Sequence, residues 1–172
     1  MNKQVWIEKA LGLGIQEFEI YQSTTVEKEM TWFQGQMDTL VSSKVTGTSI
    51  RGIVDGKMAN MALEEIDDSM CETVLKSLIE QAHIISNEET DSLRKPEPIE
   101  YAKKDVTWNM ASTEYVKDIL QSLEAKILAY DPRVIQVGYL GYSQGSGSRS
   151  IVNSLGMDVQ DADEMQDRKS VV

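Results

Sequence analysis

The sequence has little of what many functional sites need: it contains one cysteine, one histidine and three prolines among 172 residues. The single cysteine, Cys71, excludes an internal disulfide bond and favours a reducing compartment. One histidine and one cysteine are also too few to supply the three or four nitrogen and sulfur ligands usual for zinc. We therefore predict no metal site, and no other cofactor, in this chain.

Long apolar runs are absent as well. No stretch approaches the ~18 consecutive apolar residues that a membrane span requires. Glu8 and Lys9 interrupt the N-terminal segment where a signal peptide would have its apolar core. We therefore predict a cytoplasmic chain that makes no membrane contact. Its content of 41% hydrophobic and 26% charged residues is that of an ordinary globular protein.

Positive charge is scarce. The chain has 17 Lys and Arg against 28 Asp and Glu, a formal net charge of -11. Residues 61–100 alone carry 11 acidic and 3 basic side chains. Because nucleic-acid binding draws most of its affinity from clustered Lys and Arg, this charge predicts no direct contact with DNA or RNA.

Three helices are predicted from apolar residues at helical spacing. The first covers residues 2–12. The second starts at a capping box formed by Ser69 and Glu72, and the third is capped by Ser112 or Thr113. The stripes of the second and third helices consist of Val74, Leu75, Leu78, Ile79, Ala82 and Ile85, and of Val116, Ile119, Leu120, Leu123 and Ile127.

Strands are predicted between these helices. Alternating apolar and polar residues after the first helix indicate two or three strands, and Asp55-Gly56 favours a two-residue hairpin turn. The stretches "VIQVGYLGYSQ" and "SRSIVNSLGMD" read as two strands joined by a loop at Gly145 and Gly147. The order helix, strand, strand thus occurs twice. We predict an α+β fold, a mostly antiparallel sheet with about three helices packed on it.

The predicted domain covers residues 1–157. Residues 87–111 hold two of the three prolines and show little periodicity, so we assign them to a connector between two candidate lobes, 1–86 and 112–157. Residues 158–172 are polar without an apolar stripe, and we expect this tail to fray.

No complete catalytic set is present. The stretch "GTSIRGIVDGKMA" resembles a phosphate-binding loop, but three residues rather than four separate Gly52 from Gly56, and Met58 stands where Ser or Thr would reach magnesium. His83 is expected to be partly exposed near the end of the second helix. Cys71 has no histidine nearby in sequence to activate it, so a buried bystander is the favoured interpretation.

Several stretches, taken in order, resemble the N-terminal domain of the TldD/PmbA family, long labelled modulators of DNA gyrase. The resemblance covers about residues 3–157 and includes "GIQEFEIYQS", "TWFQGQMDTLVSSKVTGTSIRGIVDGKMA", "DPRVIQVGYLGYS" and "SIVNSLG". Its most specific parts are the spacing of Gly35, Gly47, Arg51 and Gly56, and the late Asn153-Ser154-x-Gly156.

This resemblance implies a metallopeptidase-type protein that cleaves or matures peptides. Family members are typically more than twice this length and pair an α/β N-terminal domain with a β-rich C-terminal domain that holds the zinc motif HExxxH. The present chain lacks that motif, so we expect an N-terminal domain on its own, a trimmed chain or a shortened gene product, inactive alone. Its strands look closer to PmbA-type members, which lack the metal ligands and act as partner subunits.

The role implied for such a domain is substrate access and subunit pairing, in a homo- or hetero-dimer with a TldD/PmbA-type subunit. No catalytic or metal residue is assigned. The candidate interface or cavity-lining residues are Gly35, Arg51, Asn153 and Gly156. A structural alternative is favoured for each: the glycines occupy turns with positive φ, Arg51 forms a cross-strand ion pair, and Asn153 caps a turn.

A second functional hypothesis is a free-standing protein-interaction module with no enzymatic assembly. A reading frame that continues beyond Val172 into a β-rich sequence with HExxxH, or with its degenerate relic, would favour the metallopeptidase assembly over this module. Direct action on DNA or gyrase is a third hypothesis, which the acidic charge disfavours.

Overall fold

A computed structural model describes residues 1–64, 66–86, 90–97 and 110–171. Within them the chain forms three α-helices and one antiparallel sheet of five strands in the order β3-β2-β1-β4-β5. The prediction of an α+β fold, with helix, strand, strand occurring twice, is confirmed. The elements in chain order are α1 (Lys3–Gly12), β1 (Glu17–Phe33), β2 (Gln36–Val54), β3 (Lys57–Leu63), α2 (Cys71–Ile84), α3 (Thr113–Leu128), β4 (Tyr139–Asn153) and β5 (Asp158–Val171).

Two-residue turns connect the first three strands. Gln34 and Gly35 join β1 to β2 with φ of 49° and 77°, and Asp55 and Gly56 join β2 to β3 with φ of 50° and 76°. Positive φ at both central residues is the type I′ geometry, whose twist matches that of the flanking strands. The predicted hairpin at Asp55-Gly56 is confirmed: Gly56 serves the turn, whereas Gly47 and Gly52 lie inside β2.

The predicted loop at Gly145 and Gly147 is wrong, because both residues lie inside β4. A Cβ atom at Gly147 would lie 2.5 Å from Oδ1 of Asp163, and one at Gly145 would lie 3.4 Å from the carbonyl oxygen of Val26. Glycine in a strand interior often marks such a close approach by neighbouring chain. The strand reverses instead after Asn153.

The predicted frayed tail is also wrong, because Asp158–Val171 forms β5 at the edge of the sheet. The polar composition misled the prediction. An edge strand is held by backbone hydrogen bonds and needs few apolar side chains. Here Ala162 is buried within the strand and Met157 is buried just before it.

The start of α2 differs from the predicted capping box. A short 3-10 turn, Asp68–Met70, precedes the helix, and Asp67 Oδ1 accepts hydrogen bonds from the Ser69 backbone N–H at 2.7 Å and from its hydroxyl at 2.5 Å. These bonds hold the pKa of Asp67 below its usual value. Glu72 instead binds Lys76 Nζ at 2.6 Å. Asp67 lies two residues before Ser69, where the short Asp side chain can bond the backbone N–H of the following turn, so it takes the place predicted for Glu72.

The described residues group by their contacts into two compact units. Each of β1, β2, β4 and β5 contributes to both, so neither unit is continuous in sequence and neither follows the candidate lobes 1–86 and 112–157. Most of the predicted connector 87–111 lies outside the described residues. The first unit holds residues 1–24, 45–64, 66–86, 90–97 and 148–161; the second holds 25–44, 110–147 and 162–171.

The core of the first unit lies between one face of the sheet and the helices α1 and α2. The predicted stripe of α2 is buried there at Val74, Leu75, Leu78 and Ala82. Burial of each Val or Leu side chain contributes about 1.5–3 kcal/mol, which makes this stripe the main reason that α2 docks. The buried cluster comprises Trp6, Ile7, Ala10, Ile15, Phe18, Ile20, Ile50, Val54, Ala59, Cys71, Val74, Leu75, Leu78 and Ala82.

The second unit has a smaller core of its own, against which α3 packs. Ser112 begins this helix as predicted, since its hydroxyl accepts a hydrogen bond from the Tyr115 backbone N–H at 3.1 Å. No helix in the described residues has the length and apolar character needed to cross a membrane. The buried cluster of this unit comprises Met30, Trp32, Val116, Leu120, Val137, Leu140 and Tyr142.

Substitution of Gly52 by alanine is expected to lower the free energy of unfolding by about 1–3 kcal/mol through overpacking. A Cβ atom there would lie 2.9 Å from both Ile15 Cγ2 and Leu78 Cδ2. The matched control is Gly12→Ala in α1, where an added Cβ meets nothing within 4 Å and helix propensity favours alanine by up to ~1 kcal/mol. Urea denaturation measures both; a loss in the control as large as that at Gly52 would contradict this account of the core.

Candidate functional site

An ion pair with a buried carboxylate lies on the face of the first unit's sheet that points away from α1 and α2, here called the outer face. Phe18 and Ile20 enter the core, so Glu19 between them points outward, as does Arg51 of the adjacent strand. Glu19 Oε1 accepts from Arg51 Nη2 at 2.6 Å and from Nε at 2.7 Å. The Glu19 side chain is 3% exposed and that of Arg51 is 44% exposed, so solvent reaches only the arginine.

Asn153 joins this ion pair to two neighbouring segments. Its amide nitrogen donates to Glu19 Oε2 at 3.2 Å and to the carbonyl oxygen of Arg94 at 3.0 Å. Its side-chain oxygen accepts from the backbone N–H groups of Leu155 at 3.0 Å and Met157 at 2.9 Å. Asn153 therefore caps the turn into β5 and holds the second oxygen of the buried carboxylate.

Residues 90–97, here called the cross-face segment, lie over part of the outer face. The Asp91 backbone N–H donates to the carbonyl of Gly56 at 2.9 Å, and the Leu93 N–H donates to Glu17 Oε2 at 2.6 Å. Met58 N–H in turn donates to Asp91 Oδ2 at 3.0 Å. With the bond from Asn153 to Arg94, the segment is bound to β3, β1 and β4. Its buried anchor is Leu93.

The ion pair forms one wall of a pocket of about 460 Å³ on the outer face. A second pocket, of about 410 Å³, shares the side chains of Tyr21 and Ile151 with the first. The first is lined by Glu19, Tyr21, Ser49, Arg51, Met58, Asn60 and Ile151. The second is lined by Tyr21, Arg149, Ser150, Ile151, Val159, Gln160 and Asp161.

The linings define which chemistry these pockets can carry. Met58 and Ile151 offer apolar contact, while the Ser49 hydroxyl and the Asn60 amide can exchange hydrogen bonds with a polar ligand. Such a mixture suits binding, since ligand sites combine apolar walls with a few polar groups. No three His, Cys, Asp or Glu side chains are grouped to hold a metal within the described ranges, so these residues do not supply a donor set for zinc.

Three of the four candidate residues meet at this site. Arg51 and Asn153 bind the same carboxylate, and Gly156, with φ of 93°, lies in the turn that Asn153 caps. Arg51 forms a cross-strand ion pair, Asn153 caps a turn and Gly156 occupies a turn with positive φ, which are the structural alternatives given above. Arg51 also lines the pocket. Glu19 was not among the predicted residues, because strand alternation assigns it to a solvent-facing side and no local pattern marks that position as buried.

Gly35, the fourth candidate, lies in the second unit. Its backbone N–H donates to Glu124 Oε2 at 3.0 Å, and the indole Nε1 of Trp32 donates to the same oxygen at 2.7 Å. The glycine thus serves the β1-β2 turn and its attachment to α3.

His83 and Cys71, the only histidine and cysteine of the sequence, are not among the residues that line the two pockets. His83 is exposed, and its Nε2 lies 3.7 Å from Asp55 Oδ2, at the helix end as expected. Cys71 is buried, and burial raises the pKa of its thiol. A thiol with a raised pKa carries less of the reactive thiolate at neutral pH, so the structure agrees with a packing role.

Two family models match consecutive parts of the sequence. One, described as PmbA/TldA metallopeptidase domain 1, matches residues 18–86, and the other, described as the PmbA/TldA metallopeptidase central domain, matches residues 107–165. Together they cover about three quarters of the chain. The sequence thus carries two successive domains of one metallopeptidase family. The chain belongs to the PmbA/TldD family.

Solved structures share the fold. A Thermotoga maritima protein provisionally described as a modulator of a DNA gyrase superposes with a TM-score of 0.78 at 18% identity, over 95% of this chain and 37% of its own. TldE from Thermococcus kodakarensis superposes with a TM-score of 0.73 at 19% identity, over 94% of this chain and 37% of its own. A Bacteroides thetaiotaomicron protein, also provisionally a modulator of DNA gyrase, gives 0.69 at 18%, over 95% and 38%. The chain therefore spans less than two fifths of these relatives. A comparison with curated proteins gives no match.

Proposed function

We propose that this chain is the non-catalytic part of a PmbA/TldD-type metallopeptidase assembly, and that the outer-face pocket of its first unit receives part of the peptide substrate. The observation that carries the proposal is the pocket built on the Glu19–Arg51 ion pair. Asn153 fixes the second carboxylate oxygen, so the wall of the pocket is held from three strands. A fixed wall lowers the entropy cost of binding a ligand.

The lining favours a peptide over a nucleotide or a phosphorylated ligand. Glu19 already binds the guanidinium of Arg51, and the neighbouring pocket is lined by one acidic side chain, Asp161, as well as one basic side chain, Arg149. An extended peptide requires apolar contact and neutral hydrogen-bonding groups, which Met58 and Asn60 supply. The net charge of -11 also opposes a polyanionic ligand.

The family supports the rest of the proposal. Both matching family models are described as metallopeptidase domains, and the described residues offer no donor set for a metal. We assign hydrolysis, and the zinc that it would use, to a domain or subunit outside this chain. We further propose that the chain pairs with a PmbA/TldD-type subunit. Its single cysteine favours the cytoplasm, and its strand sequences favour the PmbA branch.

The test of substrate access is fluorescence anisotropy with a labelled, permanently unfolded peptide, oxidised insulin B chain. We expect saturable binding to the chain and no cleavage of the peptide by mass spectrometry. Ser49→Trp, which fills the pocket with an indole, is expected to weaken binding at least ~5-fold, or about 1 kcal/mol. The matched control is Thr25→Trp, at an exposed strand position of the second unit.

Two results would oppose the proposal. Equal affinity of the Ser49→Trp and Thr25→Trp variants, or no saturable binding by the parent chain, would remove the pocket as a peptide site. Chelator-sensitive cleavage of the peptide by the purified chain would show that its role is catalytic.

A further inference from the structure

The outer edge of β2 in the second unit, residues 38–44, has no strand beside it in the described part of the chain. β3 pairs with β2 only from Thr48 to Val54. On its other side β2 is bound to β1. Along residues 38–44, the backbone groups that point away from β1 therefore have no strand partner among the described residues, and such an edge is a template for another chain.

This edge, here called the β2 edge, is open to solvent. All of its residues are exposed except Ser43, which is partly so. Val41 at its centre is 55% exposed, and Leu40 beside it is 42% exposed. Proteins usually protect such an edge with proline or several charges, but this one has no proline and only two charges, Asp38 and Lys44.

The β2 edge is complementary to itself. When a second copy is laid antiparallel with Val41 opposite Val41, Asp38 faces Lys44 of the copy, and the same pair recurs by symmetry on the other side. Thr39 then faces Ser43, and Leu40 faces Ser42. No other antiparallel register brings the two charges together. Opposite charges directly across an antiparallel pair are stabilising, whereas like charges there are destabilising.

We propose that the β2 edges of two copies of this chain pair antiparallel about a two-fold axis at Val41. A two-fold interface requires a surface that matches itself, and the alternation of charge, hydroxyl and apolar side chains along residues 38–44 meets that requirement. An unrelated peptide could add to the same edge, but it would not require this symmetry. The inference deepens the proposed subunit pairing, on which it rests, by naming the surface and the partner.

The first test is cross-linking through an engineered cysteine. In the proposed pair the two Cα atoms at position 41 lie about 4.5–5.5 Å apart, within the range of about 4.4–6.8 Å that a disulfide bond spans. Oxidation of the Val41→Cys variant is therefore expected to give a covalent dimer of twice the 19.3 kDa chain. Cys71 is buried and does not compete.

The matched control is Thr39→Cys. Residue 39 faces residue 43 of the copy, so the two cysteines would lie four residues apart along the strands, roughly 14 Å. We expect no cross-link from this variant. Equal cross-linking of both variants, or none from Val41→Cys, would overturn the proposed surface.

The second test is a charge exchange followed by sedimentation equilibrium. Asp38→Lys brings lysines face to face, and we expect the dimer dissociation constant to rise at least ~10-fold. The double variant Asp38→Lys/Lys44→Asp restores opposite charges and is expected to recover the parent value within a factor of ~3. Glu80→Lys, exposed on α2, makes the same charge change away from the edge and is expected to leave the dimer intact.

These measurements distinguish failure of the proposed β2-edge interface from failure of the proposed subunit pairing. A dimer that is insensitive to Asp38→Lys, or that the double variant fails to restore, overturns the β2 edge while the proposed subunit pairing stands. A chain that stays monomeric at all concentrations overturns pairing with its own copy, and peptide binding in the first unit remains a separate measurement.

Discussion

Substitution of Arg51 by methionine is expected to lower the free energy of unfolding by about 2–3 kcal/mol. Removal of one partner of a buried ion pair leaves the other charge uncompensated, which costs about 3–5 kcal/mol when both partners are buried. Glu19 is 3% exposed, whereas Arg51 is 44% exposed, so we place the expected loss below that range. Urea denaturation followed by tryptophan fluorescence measures it.

The double variant Glu19→Leu/Arg51→Met provides the control for this prediction. Replacement of both members of such a pair by apolar side chains is often nearly neutral. Asn153 keeps the carbonyl of Arg94 and the turn N–H groups as partners. We therefore expect the free energy of unfolding of the double variant to lie within about 1 kcal/mol of that of the parent chain. A double variant less stable than Arg51→Met would contradict the role given to the buried charge.

Substitution of Glu124 by leucine is also expected to lower the free energy of unfolding, by about 2–3 kcal/mol. Glu124 is buried and accepts hydrogen bonds from the Trp32 indole at 2.7 Å and the Gly35 backbone N–H at 3.0 Å. Leucine removes the acceptor and leaves the buried indole N–H without a partner. The carboxylate thus ties α3 to the β1-β2 turn, which no apolar residue can do.

Glutamine at position 124 is the conservative comparison. Its amide oxygen can replace Oε2 and accept from both Trp32 and Gly35, but its amide nitrogen cannot accept the second Gly35 bond that Oε1 receives at 3.2 Å. We therefore expect the free energy of unfolding to fall by about 1 kcal/mol. Stability is measured by chemical denaturation. If Glu124→Gln and Glu124→Leu were equally destabilised, the stabilising contribution of these two hydrogen bonds would be disproved.

The elements that could be predicted from the sequence are those whose signal is local. The stripe of α2 and the Asp55-Gly56 turn depend on residues within one element, and both are confirmed. The errors at Gly147 and at β5 share a different cause. A glycine can lie in a turn or inside a strand where a neighbouring side chain approaches closely. At Gly147 the neighbour is Asp163, sixteen residues away in sequence. Likewise, a polar segment such as β5 forms a strand only because it pairs with the edge of the sheet.

The candidate site shows the same division. Arg51, Asn153 and Gly156 were identified from their spacing, and the structure brings them together. Glu19 could not be recognised as the residue that joins them, because its burial depends on strands 32 and 134 residues away. The cross-face segment was likewise unpredictable, since its bonds to β1, β3 and β4 have no sequence period.

The proposed function requires that an unfolded peptide binds in the outer-face pocket of the first unit. The most direct measurement is a titration of the ¹⁵N-labelled chain with oxidised insulin B chain, followed by two-dimensional amide NMR. We expect the largest shifts at Tyr21, Ser49, Asn60 and Ile151, which line the pocket. Saturating peptide that leaves these amides unmoved while others shift, or that shifts none, would contradict the account.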